Sequence, residues 1–374
     1  MMKLEEFAEI NMGQSPESSS YNENKDGLPF FQGKADFGKV SPEAKIWCNK
    51  PAKIAEKYDI LMSVRAPVGD LNIANEKCCI GRGLAGIRAN GDKCYYKYLY
   101  YFLKSKYREL NQMATGSTFK AISKNNILTI EGNIPEITEQ KIIVDKLDKI
   151  QNLIDLEEKQ IEDSNELIKS QFVEMFESKD YNKTTIGKCA KFQGGYAFKS
   201  KDFVENGVKL VQISNVNKDT LDWIEINRVP ESFIERYKEY SLVANDVVMA
   251  MTRPIIKSLN EVKIAQVRED DLPCLLNQRV GRFIINDSVN KEYLIYCCKS
   301  DKFKNYVEKM SGNSLQPNIS SKQVENFEIS LPPIELQNKF AEFVKQIDKQ
   351  KLEIKKNIDE LKKLQENLMN KYFN

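Results

Sequence analysis

The sequence predicts an α+β chain built twice over. Two strand-rich globular parts, related by a pseudo-twofold repeat, are joined by two long antiparallel helices that form a coiled coil. Three observations lead there. Two proline-opened stretches, Pro135 to Phe176 and Pro332-Pro333 to Phe373, run on from there without a further proline or any glycine. Placing Met113 on Met310 then carries the chain without a gap to Ile150 on Ile347, with nine identities in 38 positions, where chance gives about two. Finally, short apolar runs separated by Gly, Asn and Asp fill the remainder, as strands and turns require.

Residues 1–134 read as the first globular part. Its strand-like runs include FAEINMG (Phe7 to Gly13), PFFQGKADF (Pro29 to Phe37) and YDILMSV (Tyr58 to Val64). GRGLAG (Gly81 to Gly86) lacks the G-x-G-x-x-G spacing of a nucleotide loop and reads as a turn entering a strand. YYKYLYYFLKSKYRELNQM (Tyr95 to Met113) reads as one helix. Its tyrosines recur on one helical face, which marks core sooner than a platform for stacking bases.

Residues 135–176 form the first long helix. Proline suits its opening, where a fixed φ and a missing N–H do no harm, and its length is on the order of 60 Å. Ile143, Leu147, Ile150, Ile154, Ile161, Ile168 and Met175 make a 4-3 seam, which calls for a partner helix. The polar ESKDYNKTT (Glu177 to Thr185) marks a boundary.

The second globular part, 177–331, repeats the first. CAKFQGG (Cys189 to Gly195), KLVQISNVN (Lys209 to Asn217) and NDVVMAM (Asn245 to Met251) answer the three runs above, and Gln212 aligns with Gln32. A single helix is expected over Lys291 to Met310. The second long helix, 332–374, carries its seam on Phe340, Val344, Ile347, Ile354, Ile358, Leu361, Leu368 and Tyr372. Glu157 and Lys351 interrupt the two seams. The helices either pair with each other or each pack on their own globular part; mutual pairing is the simpler reading.

Composition narrows the function. The chain has 374 residues, a net charge of +2, eight cysteines and no histidine. No C-x-x-C occurs, so nothing suggests a zinc site, and the absence of histidine removes the commonest general base and any Ser-His-Asp arrangement. The N-terminus is acidic and amphipathic rather than a signal peptide, and no apolar run reaches membrane-spanning length. A cytoplasmic protein with reduced thiols is expected. Lys and Arg outnumber Asp and Glu by 19 to 15 in residues 1–134 and by 23 to 21 in 177–331, whereas 135–176 has 5 against 11. The positive excess thus sits in the globular parts and one helix is acidic, a distribution compatible with domains that touch a polyanion.

The junctions resemble those of the specificity (S) subunit of type I restriction-modification enzymes. The resemblance rests on a polar Gly/Ser loop, an Ile, a short strand, a proline and E-Q opening a long helix. It appears as ATGSTFKAISKNNILTIEGNIPEITEQ (Ala114 to Gln140) and as SGNSLQPNISSKQVENFEISLPPIELQ (Ser311 to Gln337). A strand like DILMSVRAPVG belongs to the same pattern. The second half departs from it, with NSL in place of GST and Leu336 in place of Glu139.

The resemblance implies a DNA-binding subunit without an active site or cofactor of its own. Its target recognition domains, 1–134 and 177–331, would each read one half of a bipartite, asymmetric sequence. The helices would fix the spacer and dock two methyltransferase subunits, which bind S-adenosylmethionine and methylate adenine. Restriction and translocase subunits would join through these.

Candidate contacts are Arg, Lys, Asn and Gln on loops, because Arg suits guanine and Asn or Gln suits adenine. In the first part they are Lys34, Arg65 before the turn Pro67-Val68-Gly69, and Arg82 between two glycines. Ser117, Thr118 and Lys120 lie in a loop whose hydroxyls, N–H groups and charge suit a phosphate. In the second part they are Asn215, Arg253, Gln278, Arg279, Ser314, Gln316 and Asn318. Surface ion pairing is the other reading of Arg65 and Arg82, and a helix-capping turn that of the loop. Two rival functions stand beside the first: the recognition subunit of a related fused restriction-methyltransferase enzyme, and a two-headed coiled-coil adaptor that binds proteins. A catalytic methyltransferase would need an Asn-Pro-Pro-aromatic or Asp-Pro-Pro-aromatic motif, but Pro332-Pro333 stands between Leu331 and Ile334.

Overall fold

The computed structural model describes residues 1–115, 120–312 and 316–373. It divides into two units, one of Met1–Lys159 with Ile354–Asn374 and the other of Gln160–Glu353. Both divisions fall inside long helices, Ile137–Phe172 and Ile334–Phe373.

Each unit is organised by a four-stranded antiparallel sheet of the same order. In the first unit the order is Ala8–Met12, Leu84–Ala89, Ile60–Ser63, Leu71–Ile73. In the second it is Ala190–Gly194, Val280–Ile285, Val247–Ala250, Ile264–Gln266. The registers also correspond, with Ile10, Ile87 and Ile60 in line in one and Phe192, Phe283 and Val247 in the other. A second sheet in each unit contains a parallel pair, Leu28–Phe31 beside Cys78–Ile80 and Val208–Val211 beside Cys274–Leu276.

The turn into the third strand of each order is built alike. Tyr58 has φ 75° and Asn245 has φ 74°. The following aspartate accepts an N–H three residues back, Asp59 from Glu56 and Asp246 from Val243, both at 2.9 Å. A guanidinium then holds each carboxylate: Arg88 grips Asp59 at 2.8 and 2.9 Å, and Arg282 reaches Asp246 at 3.1 Å. Asp59 is buried, and a buried carboxylate left without a partner is costly.

The helix after each sheet is two helices. Tyr96–Ser105 and Tyr107–Met113 are parted at Lys106, and Lys291–Lys299 and Asp301–Ser311 at Ser300. Ser300 adopts extended geometry and its hydroxyl accepts the Phe303 N–H at 3.2 Å. Serine competes for the backbone in this way and starts a new helix, which the apolar periodicity does not reveal. Tyr98, Tyr101 and Phe102 are buried in the first core, as their spacing predicts.

Within the first unit the ends of the long helices run antiparallel. Lys146 lies beside Tyr372, Gln151 beside Gln365, and Glu158 beside Lys362. The seam residues Ile143, Leu147, Ile150, Ile154, Ile354 and Ile358 are buried. In the second unit Ile168 and Phe172 share a core with Phe340, Val344 and Ile347, and the Phe172 and Phe340 rings stand 5.5 Å apart. The two seam-breaking charges find polar partners in their own units. Glu157 accepts from Asn357 at 3.5 Å, and Lys351 pairs with Asp348 at 2.9 Å.

One buried side chain joins each long helix to its globular part. Gln140 is fully buried; its carbonyl accepts the Tyr95 N–H at 2.8 Å, and its amide donates to the Lys93 and Pro135 carbonyls at 2.7 Å. Gln337, also fully buried, accepts from the Asn290 N–H and donates to the Pro332 carbonyl, both at 2.8 Å. Leucine there would leave several backbone groups unpaired. Gln140→Leu is expected to cost on the order of 3 kcal/mol, read as a lower urea midpoint, and an unchanged midpoint would refute the clamp.

All eight cysteines are free and buried. Burial pushes the thiols of Cys78, Cys79, Cys94, Cys274 and Cys297 up to about 12. Only the thiolate reacts, so at pH 8 a thiol reagent should label the native chain slowly and the urea-unfolded chain quickly. Fast labelling of the native chain would contradict this.

Candidate nucleic-acid interface

In the first unit three backbone segments cross so closely that glycine is required. A methyl group on Gly13 would lie 2.2 Å from the Gly81 carbonyl oxygen, and one on Gly83 would lie 2.2 Å from that of Gln32. Hydrogen bonds lock the crossings. Gly13 and Gln14 donate to Leu84 and Ile80 at 2.8 and 3.0 Å, Gly81 to Phe31 at 2.8 Å, and Val64 to Gly83 at 2.9 Å. The Asp36 carboxylate clasps the N–H groups of Gln32 and Gly33 at 2.6 and 3.3 Å. GRGLAG is thus a turn entering a strand, as its spacing predicts, and its glycines permit backbone contact.

The crossings shape an open cleft of about 200 Å³, lined by Ser15, Gln32, Lys34, Arg65 and Arg82 with small residues between. Lys34 pairs with Asp70, 3.0 Å away. Arg65 and Arg82 are exposed, and among the described residues no carboxylate pairs with either guanidinium. Arg65 bridges to Ala121, and the Ala66 N–H reaches the Lys120 carbonyl at 3.0 Å. Exposed Lys120 therefore stands beside the cleft wall. Ser117 and Thr118 lie outside the described residues, as does Ser314.

The second unit has the same scaffold with other side chains. A methyl group on Gly195 would lie 2.3 Å from the Asn277 carbonyl oxygen. Gly195 and Tyr196 donate to Val280 and Leu276 at 3.0 Å, and Met251 donates to Arg279 at 2.9 Å. This register sets Thr252 where the first unit has Arg65, Arg253 where it has Ala66, and Gln278 where it has Arg82. Thr252 is buried with its hydroxyl on the Asn318 side chain, and the Asn318 amide donates to the Gln316 carbonyl at 2.9 Å. Arg253, with φ 48°, is exposed, as are Gln278, Arg279 and Gln316.

Asn215 differs from the other candidates. It is buried, accepting the Gln212 N–H at 2.9 Å and donating to the Asp222 and Glu225 carbonyls at 2.9 and 2.7 Å. Its side chain holds a turn and presents no edge to solvent. The sequence gives a loop asparagine no mark that separates these two uses.

Sequence reasoning missed Ser15 and Gln32 as lining residues, although the pairing of Gln32 with Gln212 pointed to their loop. It also missed Lys263, whose ammonium is disfavoured by burial and then by neighbouring Arg253. Tyr196, 37% exposed, lies against Tyr237 with ring centroids 4.5 Å apart. The exposed groups in both units are mainly hydrogen-bond donors, amides and hydroxyls, suited to an acceptor-rich polyanion. Among the described residues no His, Cys, Asp and Glu cluster could hold a metal ion, and no helix is long and apolar enough to cross a membrane.

Comparison with known proteins identifies the family. The model of the type I restriction modification DNA specificity domain matches residues 1–165 and 178–363. The type I restriction enzyme MjaVIII specificity subunit of Methanocaldococcus jannaschii is 33% identical over 292 residues, 73% of this chain and 68% of that one. A putative MjaX specificity subunit from the same organism is 46% identical over 158 residues, which span 42% of this chain and 37% of the relative. The S subunit of a type I restriction-modification system from M. genitalium, 17% identical, has the same fold, with a TM-score of 0.55 over 100% of this chain and 95% of that one. The chain belongs to the family of type I restriction-modification DNA specificity subunits.

The crossings make a sharp prediction. Gly83→Ala drives a methyl group into backbone and should cost roughly 1–3 kcal/mol, while Gly33→Ala, with nothing within 4 Å, should be neutral. Thermal unfolding of the two variants compares them; equal melting temperatures would refute the close approach.

Proposed function

We propose that the chain reads a bipartite, asymmetric DNA sequence within a type I restriction-modification complex, residues 1–134 and 177–331 serving as target recognition domains for one half-site each. One observation carries this reading. The same hydrogen-bonded scaffold occurs twice, yet corresponding positions differ: exposed Arg65 answers to buried Thr252, and exposed Arg82 to exposed Gln278. A shared scaffold with different reading groups is what two unlike half-sites demand. Helices 135–176 and 332–374 act as the spacer, because rotation about B-DNA repeats every ~10 base pairs and two readers must keep their phase.

Methylation requires the target base to leave the stack for a pocket with a cofactor. That chemistry belongs to two methyltransferase subunits, which bind S-adenosylmethionine and in turn carry restriction and translocase subunits. Their docking surface is the exposed side of the long helices. In the first unit it presents Ile142, Leu153, Leu156 and Leu364, exposed apolar side chains among charged ones. Such a surface suits a protein better than a polyanion. The chain itself performs no catalytic step, and its work on host DNA belongs in the cytoplasm.

The test is binding of a randomised pool of bipartite duplexes by the full chain with its methyltransferase subunits, across salt concentrations. A specificity subunit should enrich one bipartite sequence and lose affinity roughly 10³-fold or more between 50 and 200 mM salt. A protein-binding adaptor would enrich no sequence, and that outcome would reject the proposal.

A further inference from the structure

We propose that Arg65 and Arg82 read guanine in the half-site contacted by the first unit, and are the residues that set the base identity there. The inference rests on the DNA-recognition reading above. Both arginines line one cleft, together with Ser15 and Gln32. Both are exposed, and among the described residues neither has an ion-pair partner. Their neighbour Lys34 is held by Asp70 at 3.0 Å, so the free charge of the cleft is the two arginines. Two unpaired cations facing one cavity repel each other unless a ligand rich in acceptors fills it.

A phosphate and a guanine edge both qualify, and comparison of the units separates them. Every half-site has phosphates, so a phosphate clamp should recur in both copies of the scaffold. It does not. In the second unit the position of Arg65 is Thr252, buried against Asn318, and the position of Arg82 is Gln278. A feature kept in the scaffold of one half and replaced in the other follows the sequence being read. Arginine presents two parallel donors to the O6 and N7 acceptors of guanine, the commonest specific contact in the major groove, while glutamine matches adenine.

The backbone supports such a role. Arg82 stands between Gly81 and Gly83, both packed against the Gln32 strand end, and its N–H lies 3.4 Å from the Ser15 hydroxyl. Arg65 is pinned through its bridge to Ala121. Rigid backbone beneath a reading side chain turns a flexible cation into a geometric test of the base.

The full chain, in complex with its methyltransferase subunits, is presented with a pool of duplexes randomised at both half-sites, and the bound fraction is sequenced. Wild type should fix guanine at one or more positions of one half-site. Arg82→Gln should relax or convert one such position towards adenine and weaken binding to the wild-type site about 10- to 100-fold. Arg65→Ala should relax a guanine position likewise. The other half-site should keep its preference, which shows that each variant is folded. Uniform loss of affinity with base preferences intact would make these residues phosphate anchors and overturn the proposal. So would a wild-type half-site without guanine. If wild type enriches no sequence in either half, the DNA-recognition reading itself falls and this proposal with it.

Discussion

Everything in this chain depends on holding a globular reader rigidly to a long helix, and a buried glutamine does that in both copies. A helix emerging from a domain needs more than apolar contact to fix its direction, because apolar packing is tolerant of slip. Gln140 and Gln337 supply direction. Each binds the backbone that begins the preceding helix, at Tyr95 or Asn290, and also the carbonyl of the proline before its own helix. A fully buried amide with unmet bonds is costly, so only one relative placement of these segments satisfies it. The E-Q pair at the helix start is thereby explained by its second member. Glu139 is exposed and gives way to Leu336 in the repeat, while the glutamine persists.

The same logic separates scaffold from message in the sheets. Glycine-dependent crossings, the positive-φ residue before each aspartate, and that aspartate's guanidinium clasp are constraints of backbone geometry. They recur although the side chains performing them differ: Arg88 approaches Asp59 from one strand position and Arg282 reaches Asp246 from another. What lies above these constraints is free to change, and it has changed at Arg65 and Arg82. Keeping backbone requirements apart from the side chains above them lets one frame carry two different surfaces.

Much of this was legible in the sequence. The seam residues from Ile143 to Ile154 carry a period that only a buried helix face explains, and the gapless match from Met113 to Ile150 gave the repeat. Other features left no trace. A kink at Lys106 and a new cap at Ser300 depend on local backbone choices that a hydrophobic period averages over. Burial of Asn215 follows from three carbonyl and N–H groups, brought together by tertiary folding, that have no spacing signature. Thr252 in place of Arg65 was visible in the aligned strands, but neighbouring Arg253 drew attention because charge is easier to read than register.

The net charge of the chain now has a physical meaning. Some lysines of the first unit are spent on its own carboxylates, while neither Arg65 nor Arg82 pairs with one among the described residues. Lys39 holds Asp155 at 2.9 Å, Lys97 holds Asp148 at 2.6 Å, and Lys77 holds Glu56 at 2.8 Å. Hydrogen bonds from Lys39 and Gln151 keep Asp155 ionised against the desolvation that opposes it. The acidic helix thus draws in cations that would otherwise face a duplex. Local pairing rather than net charge therefore decides which groups can meet an outside ligand, and Arg65 and Arg82 are among those left able to do so.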